Sequence, residues 1–174
     1  MTGIRHRDAT PADAATLADL FRRCFVETFG HLYREEDLEA FLAPLGEEGW
    51  RAELSDSGLK IKLVEAGGEA VAFAKLGPVS LPVEPEGRGM ELRQLYVLKP
   101  WQGRGISHDL MKWLLAEAQT AGADELFLSV WSQNARAQRF YARYGFEYVG
   151  PYAFMVGSQA DEDEIMRLKL PRAR

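Results

Sequence analysis

The chain has 174 residues, of which 47% are hydrophobic and 27% charged, and its formal net charge is −5. That size suits one globular domain whose core needs no cross-links, and no run approaches the roughly 20 apolar residues of a membrane span. The acidic balance argues against a nucleic-acid partner, which would require a basic face, and leans toward a cationic small molecule.

MTGIRHRDAT has no apolar signal segment. Cys24 is the single cysteine, so no internal disulfide can form and a cytoplasmic location is expected. IRHRDA is a short strand, and Thr10-Pro11 starts a helix with proline at its first position. Leu17, Leu20, Phe21 and Cys24 carry a helical apolar period. EEDLEAFL, stopped near Pro44, and EEGWRAEL give two more short helices. LKIKLVEA and EAVAFAKLGPV alternate as two strands joined at Gly67-Gly68. Residues 80–89 form a loop rich in proline and glycine, and ELRQLYVL is the next strand. A helix runs from Ile106 to Gly122, ELFLSVW is a buried strand, and ARAQRFYARY is a helix ending at Gly145. FEYVGPYAFMVG and EIMRLKL close the chain as an antiparallel pair. The expected fold class is mixed α/β, a largely antiparallel sheet flanked by helices, in one domain over residues 1–174.

The strand-to-helix junction LKPWQGRGIS carries the chemistry. The first amides of a helix lack intrahelical partners and have the helix dipole behind them. Gly103 and Gly105 clear side chains from that spot, which suits a pyrophosphate. A Walker loop would need a GK[ST] ending, which is absent. A dinucleotide fingerprint would need glycine at position 108, where His108 stands, and an acid where Ser132 and Gln133 stand.

QGRGIS resembles the Q/R-x-x-G-x-G/A segment of the GNAT acyltransferases, with Gln102, Gly105 and Ser107 at the matching positions. Ser107 departs from the usual glycine or alanine. About 30 residues on, NARAQRFYARYGF resembles the second segment of that family through Asn134, Ala137, Phe140, Tyr141, Gly145 and Phe146. FVETFGHLYREEDLEAFL, LSVWSQNARAQRFYARYGF and GPYAFMVGSQADEDEIMRLKL are similar to the PaiA-type spermidine/spermine acetyltransferases within GNAT, with SQADEDEIM the loosest part of the match.

The resemblance implies the acyl-CoA N-acyltransferase fold and acetyl-CoA as cosubstrate. The cofactor would be held by Leu95, Tyr96 and Val97 along the strand, by Gln102, Gly103, Arg104, Gly105, Ile106 and Ser107 at the turn, and by Asn134 and Tyr141. It also implies direct transfer of acetyl to a primary amine, a polyamine being the favoured acceptor. A protein N-terminus, lysine or other small amine is the alternative acceptor, and a non-catalytic acyl-CoA sensor the alternative role. Tyr141 would be the general acid for the leaving thiolate, with Tyr144 one turn away as packing. Asn134 would cap its helix as well as touch the pantetheine arm.

An alkyl ammonium with pKa about 10 is neutral only about one part in a thousand at pH 7, so a carboxylate base is needed. Glu91, opening the strand beside the thioester, is the first candidate and Glu27 the second. Glu27 and Glu36 are candidates for holding the acceptor. His6, His31 and His108 have no metal-ligand spacing, so no metal is expected. The final strand pair offers an edge that could form a homodimer.

Overall fold

The computed structural model describes residues 3–172. The elements in chain order are β1 (Ile4–Asp8), α1 (Ala14–Phe29), α2 (Glu35–Leu42), α3 (Glu47–Leu54), β2 (Lys60–Ala66), β3 (Glu69–Gly77), β4 (Gly89–Val97), α4 (Ile106–Thr120), β5 (Glu125–Trp131), α5 (Ala135–Arg143), β6 (Glu147–Val156) and β7 (Gln159–Lys169). The strands form one seven-stranded sheet in the order β1-β2-β3-β4-β5-β7-β6. Every pairing is antiparallel except β4 with β5. The mixed α/β class expected from the alternations is the class observed. Among the described residues no helix is long and apolar enough to cross a membrane.

Period-two alternation divides the sheet residues between two cores. Phe73 of β3 and Leu63 of β2 pack with Leu17, Leu20, Phe21, Cys24 and Phe25 of α1 and with Trp50 of α3. Their neighbours Ala72, Ala74 and Val64 pack on the other face with Leu110, Met111 and Leu114 of α4. Phe21, Phe73 and Trp50 are fully buried and meet at ring separations of 5.4 to 6.4 Å. Each such side chain contributes roughly 1.5–3 kcal/mol of burial. Helices α1 to α3 thus cover one face and α4 with α5 the other.

Two details of β4 shape the middle of the sheet. Lys75 pairs with Gln94 and Leu76 with Leu92, so Arg93 is an extra residue in β4. A bulge of that kind bends its strand and increases the local twist. Downstream of its opening residues β4 leaves β5: only Gly89, Met90 and Glu91 pair with Glu125, Leu126 and Phe127. From Leu92 to Val97 β4 has β3 as its one ladder partner, and the edge toward β5 opens as a wedge.

The structure alters some expected bounds. Pro11 begins a single 3₁₀ turn, Pro11–Asp13, before α1 proper. There Asp13 accepts from the Thr10 N–H at 2.8 Å and pairs with Arg7 at 2.7 Å, an ion pair that holds the Asp13 carboxyl below its usual range. The last strand starts at Gln159, five positions before the expected Glu164. The turn at Gly157, with φ +58°, continues the hairpin without a break, so the acidic stretch belongs to the ladder and not to a loop.

Candidate active site

At the start of α4 the chain turns through Gly103 and Gly105, whose φ values are +75° and +84°. Both lie in the left-handed region that side-chain-bearing residues avoid. A Cβ at either position would meet nothing within 4 Å, so glycine is required by the backbone angle, and the space in front of the turn is open. The first intrahelical bond runs from the Asp109 N–H to the Gly105 carbonyl. The amides of Ile106, Ser107 and His108 therefore have no partner within the helix. Gln102 ties the turn to its surroundings: its amide donates to the Val97 carbonyl at 3.0 Å and accepts from Arg136 at 2.9 Å.

This turn forms one wall of a cavity of about 640 Å³. Gln102, Gly103, Gly105, Ile106 and Ser107 line it, and so do Leu95, Tyr96 and Val97 of β4 and Asn134 and Tyr141. Arg104 does not line it; its guanidinium lies over the Trp101 ring at 4.8 Å. Lys99, Arg136 and Arg143, which the motif reading passed over, add three cations to the wall. Free amides, left-handed glycines and these cations fit a pyrophosphate, and the wedge between β4 and β5 leaves room for the arm attached to it.

Asn134 caps α5 through its Oδ1, which accepts from the Ala137 N–H at 3.2 Å. Two turns on, Tyr141 is 9% exposed, and burial pushes its hydroxyl up to about 12, further from neutral pH than the ordinary tyrosine value. Its neighbour Tyr144 is engaged elsewhere, its hydroxyl 2.6 Å from Nδ1 of His108.

A second cavity of about 150 Å³ opens on the α1–α3 face of the sheet. Leu95, Tyr96, Asn134, Ala137 and Tyr141 line both cavities, so the two meet at Tyr141 and the open edge of β4. The second is also lined by Tyr33, Gln94, Ser129, Asp161 and Asp163. Asp163 is 8% exposed. Burial first, and the charge of Asp161 second, raise its carboxyl to about 7, while Ser129 pulls the other way. The Tyr33 hydroxyl donates to Asp161. Oε1 of Gln94 is buried without a hydrogen-bond partner.

Not every carboxylate singled out in the sequence arrives here. Glu91 lines neither cavity. Its carboxylate accepts from the Ser80 N–H at 2.8 Å, the Leu81 N–H at 3.1 Å and the Ser80 hydroxyl, fastening the loop between β3 and β4. The expectation of a base at Glu91 is therefore corrected: it sits at the closed end of the wedge, paired with Phe127, and its lone pairs are used by the loop. Glu36 is exposed and outside both cavities, whereas its neighbour Asp37 is buried and binds Ser158. Glu27 does line the large cavity, and its Oε2 accepts from the Lys99 backbone N–H at 3.2 Å. The sequence reading missed Asp161, Asp163 and Gln94. A strand period begun at Gln159 would have put Asp161, Asp163 and Ile165 on one face. Among the described residues no group of three His, Cys, Asp or Glu side chains is placed to hold a metal.

A central pair of strands that part over a tyrosine, next to an open helix N-terminus, is an arrangement for handling an acyl group carried on a phosphate-bearing arm. The model of the acetyltransferase (GNAT) family matches residues 14–146, and the chain belongs to that family. It is an acetyl-CoA-dependent N-acetyltransferase. It is 32% identical over 155 residues to an uncharacterized N-acetyltransferase of Mycobacterium tuberculosis, covering 88% of this chain and 96% of that one. It is 31% identical over 116 residues to the aminoalkylphosphonate N-acetyltransferase of Salmonella typhimurium, covering 67% and 71% of the two chains. Among solved structures it is similar to the PaiA N-acetyltransferase of Thermoplasma acidophilum in complex with coenzyme A. There the TM-score is 0.77 at 22% identity, over 96% of this chain and 99% of that one.

Proposed function

We propose that this enzyme acetylates a primary amine on a small cationic molecule, a polyamine such as spermidine or spermine first among them. The observation that carries this reading is the junction of the two cavities at Tyr141, with the buried carboxylate of Asp163 and the half-buried one of Asp161 lining the smaller one. A cavity of about 150 Å³ suits the end of an alkylamine better than a folded protein terminus, and its acidic wall suits an ammonium.

In this reading acetyl-CoA lies with its phosphates on Gly103 to Ser107 and its thioester against Leu95 to Val97, where backbone amides on the open edge of β4 stabilise the developing oxyanion. The acceptor enters from the α1–α3 face and its nitrogen attacks the acyl carbon. Tyr141, whose phenol is protonated at neutral pH as tyrosines ordinarily are, supplies a proton to the departing sulfur. Glu27, on the cavity wall near Lys99, is placed to attract a second ammonium of the same acceptor. A second reading keeps the chemistry and exchanges the polyamine for another small primary amine, favoured by the likeness to the aminoalkylphosphonate enzyme.

The test is release of coenzyme A thiol from acetyl-CoA with spermidine, spermine, lysine and a short peptide as acceptors. Cys24 is buried and free, so an enzyme blank is included. Preference for the polyamines is expected. Turnover only with the peptide would discard the small-amine reading, and tight acetyl-CoA binding without turnover on any acceptor would make the protein a sensor.

A further inference from the structure

We propose that Asp163 of β7 is the catalytic base that takes the ammonium proton of the acceptor, with Asp161 and Oε1 of Gln94 holding the other ammonium hydrogens. This rests on the amine-acetylation reading above and names the group that makes the amine nucleophilic.

Asp163 pairs with Trp131 of β5 and Tyr152 of β6, and Asp161 pairs with Phe154. Phe154 packs in the core under α1 to α3, so the two aspartates stand on that face, where the second cavity opens. Asp163 and Tyr141 both line that cavity, as do Leu95 and Tyr96 from the open edge of β4. A nitrogen lodged there has the carboxylate and the acyl site within the same small space.

The surroundings of Asp163 supply acceptors and hydroxyls but no committed cation. Asp161 flanks it on β7, Ser129 faces it from β5, and Tyr96 and Gln94 from β4. Tyr141 of α5 and Tyr33 complete the wall, with Tyr33 already donating to Asp161. Arg93 is the one cationic residue lining the cavity, and its guanidinium is turned to the Pro78 carbonyl at 2.6 and 3.1 Å. Among the described residues Asp163 enters no salt bridge. Gln94 Oε1 is buried and unpartnered in the same wall, an arrangement that costs stability unless a donor arrives. An ammonium is such a donor, with three hydrogens to place.

Burial acts on both reactants in the useful direction. It raises the carboxyl to about 7 and lowers the pKa of a desolvated ammonium, so the proton affinities converge and transfer becomes easy. The proton passes from nitrogen to Asp163. The freed lone pair forms the C–N bond while the carbonyl pair moves onto oxygen. On collapse the C–S bond breaks, Tyr141 protonates the sulfur, and the second nitrogen proton restores Tyr141. Asp163 then gives its proton to solvent, for a net release of one proton per transfer.

The experiment measures kcat and kcat/KM against pH for the wild type, Asp163→Asn, Asp163→Glu and Glu91→Gln, with spermidine and with trifluoroethylamine, an amine already neutral at pH 7. Wild-type activity on spermidine should fall as pH drops through about 7. Asp163→Asn should lose kcat about 100-fold or more on spermidine while binding acetyl-CoA with unchanged affinity. It should be rescued by trifluoroethylamine, and Asp163→Glu should recover part of the loss. Glu91→Gln should keep the wild-type profile. Unchanged kcat in Asp163→Asn, or an equal loss with both amines, overturns the proposal. Should Asp163→Asn not fold, the wild type decides: an acidic limb of the same size with trifluoroethylamine overturns the proposal, and its absence there supports it. A wild type inactive on every amine overturns the amine-acetylation reading itself, an outcome visible before any variant is made.

Discussion

The two sides of the sheet, to which the proposed reading gives the cofactor and the acceptor, are built on different principles. On the α4–α5 side the chain turns from strand to helix within a few residues, and left-handed glycines expose the first amides of α4. On the α1–α3 side the groups are side chains from distant segments: Tyr33, Gln94, Ser129 and Asp163 come together only when four separate elements pack. A phosphate can be recognised by a peptide's own geometry. A cationic amine has to be met by carboxylates that no helix terminus provides. The difference teaches that a local, backbone-built site tolerates change in its side chains, while an assembled site depends on individual ones.

Variants can break or sharpen that contrast. The largest effect is expected at the junction: Tyr141→Phe should lower turnover about 100-fold or more, whereas Tyr144→Phe, whose hydroxyl meets His108, should change it little, as read by thiol release at saturating acetyl-CoA. On the backbone-built side, Gly105→Ala forces a side chain into the left-handed region at a cost of roughly 1–2 kcal/mol. Calorimetry should show about tenfold weaker acetyl-CoA binding, with kcat nearly retained. Ser107→Ala, by contrast, should leave that affinity within a few-fold, since the amide remains.

Glu91→Gln tests the corrected assignment through stability. It removes charge-assisted bonds to the Ser80 and Leu81 amides and should cost about 1–3 kcal/mol in urea unfolding, with activity kept once folded. An effect of opposite sign is expected from Asp163→Asn. A carboxyl whose folded pKa is raised from 3.8 to about 7 binds its proton more tightly when folded, so stability falls as pH rises across that interval. Asparagine escapes this penalty. Its melting temperature should exceed that of the wild type by a few degrees at pH 8, and the gap should close toward pH 4. The smallest change is expected from Glu36→Gln at its solvent-exposed position, which should leave both KM for spermidine and stability within about 0.5 kcal/mol.

Much of this was legible beforehand, for identifiable reasons. The α2 and α3 bounds, Glu35–Leu42 and Glu47–Leu54, coincide with the expected segments because acidic first turns and the Pro44-Leu45-Gly46 break mark them. The hairpin at Gly67-Gly68 followed from two left-handed glycines between alternating runs. The turn at Gly103 and Gly105 was readable because its geometry is local. Glu91 misled because a carboxylate next to an apolar strand looks alike whether it meets substrate or a loop amide. Asp163 was hidden because DEDE reads as a solvated charge run until the Gly157 turn sets its register, and register decides which of four acids goes inside.

By itself, then, the sequence determined the element order, the left-handed turn at Gly103 and Gly105 and the helix that carries Tyr141, since each depends on interactions within a few residues along the chain. Tertiary structure alone decided the parting of β4 from β5 after Glu91, the consumption of that glutamate by the 80–81 loop, and the burial of Asp163 in the smaller cavity. These are outcomes of packing between residues far apart in the chain. Solvent exclusion, which sets whether a carboxylate is inert or a base, exists only once those surfaces have met.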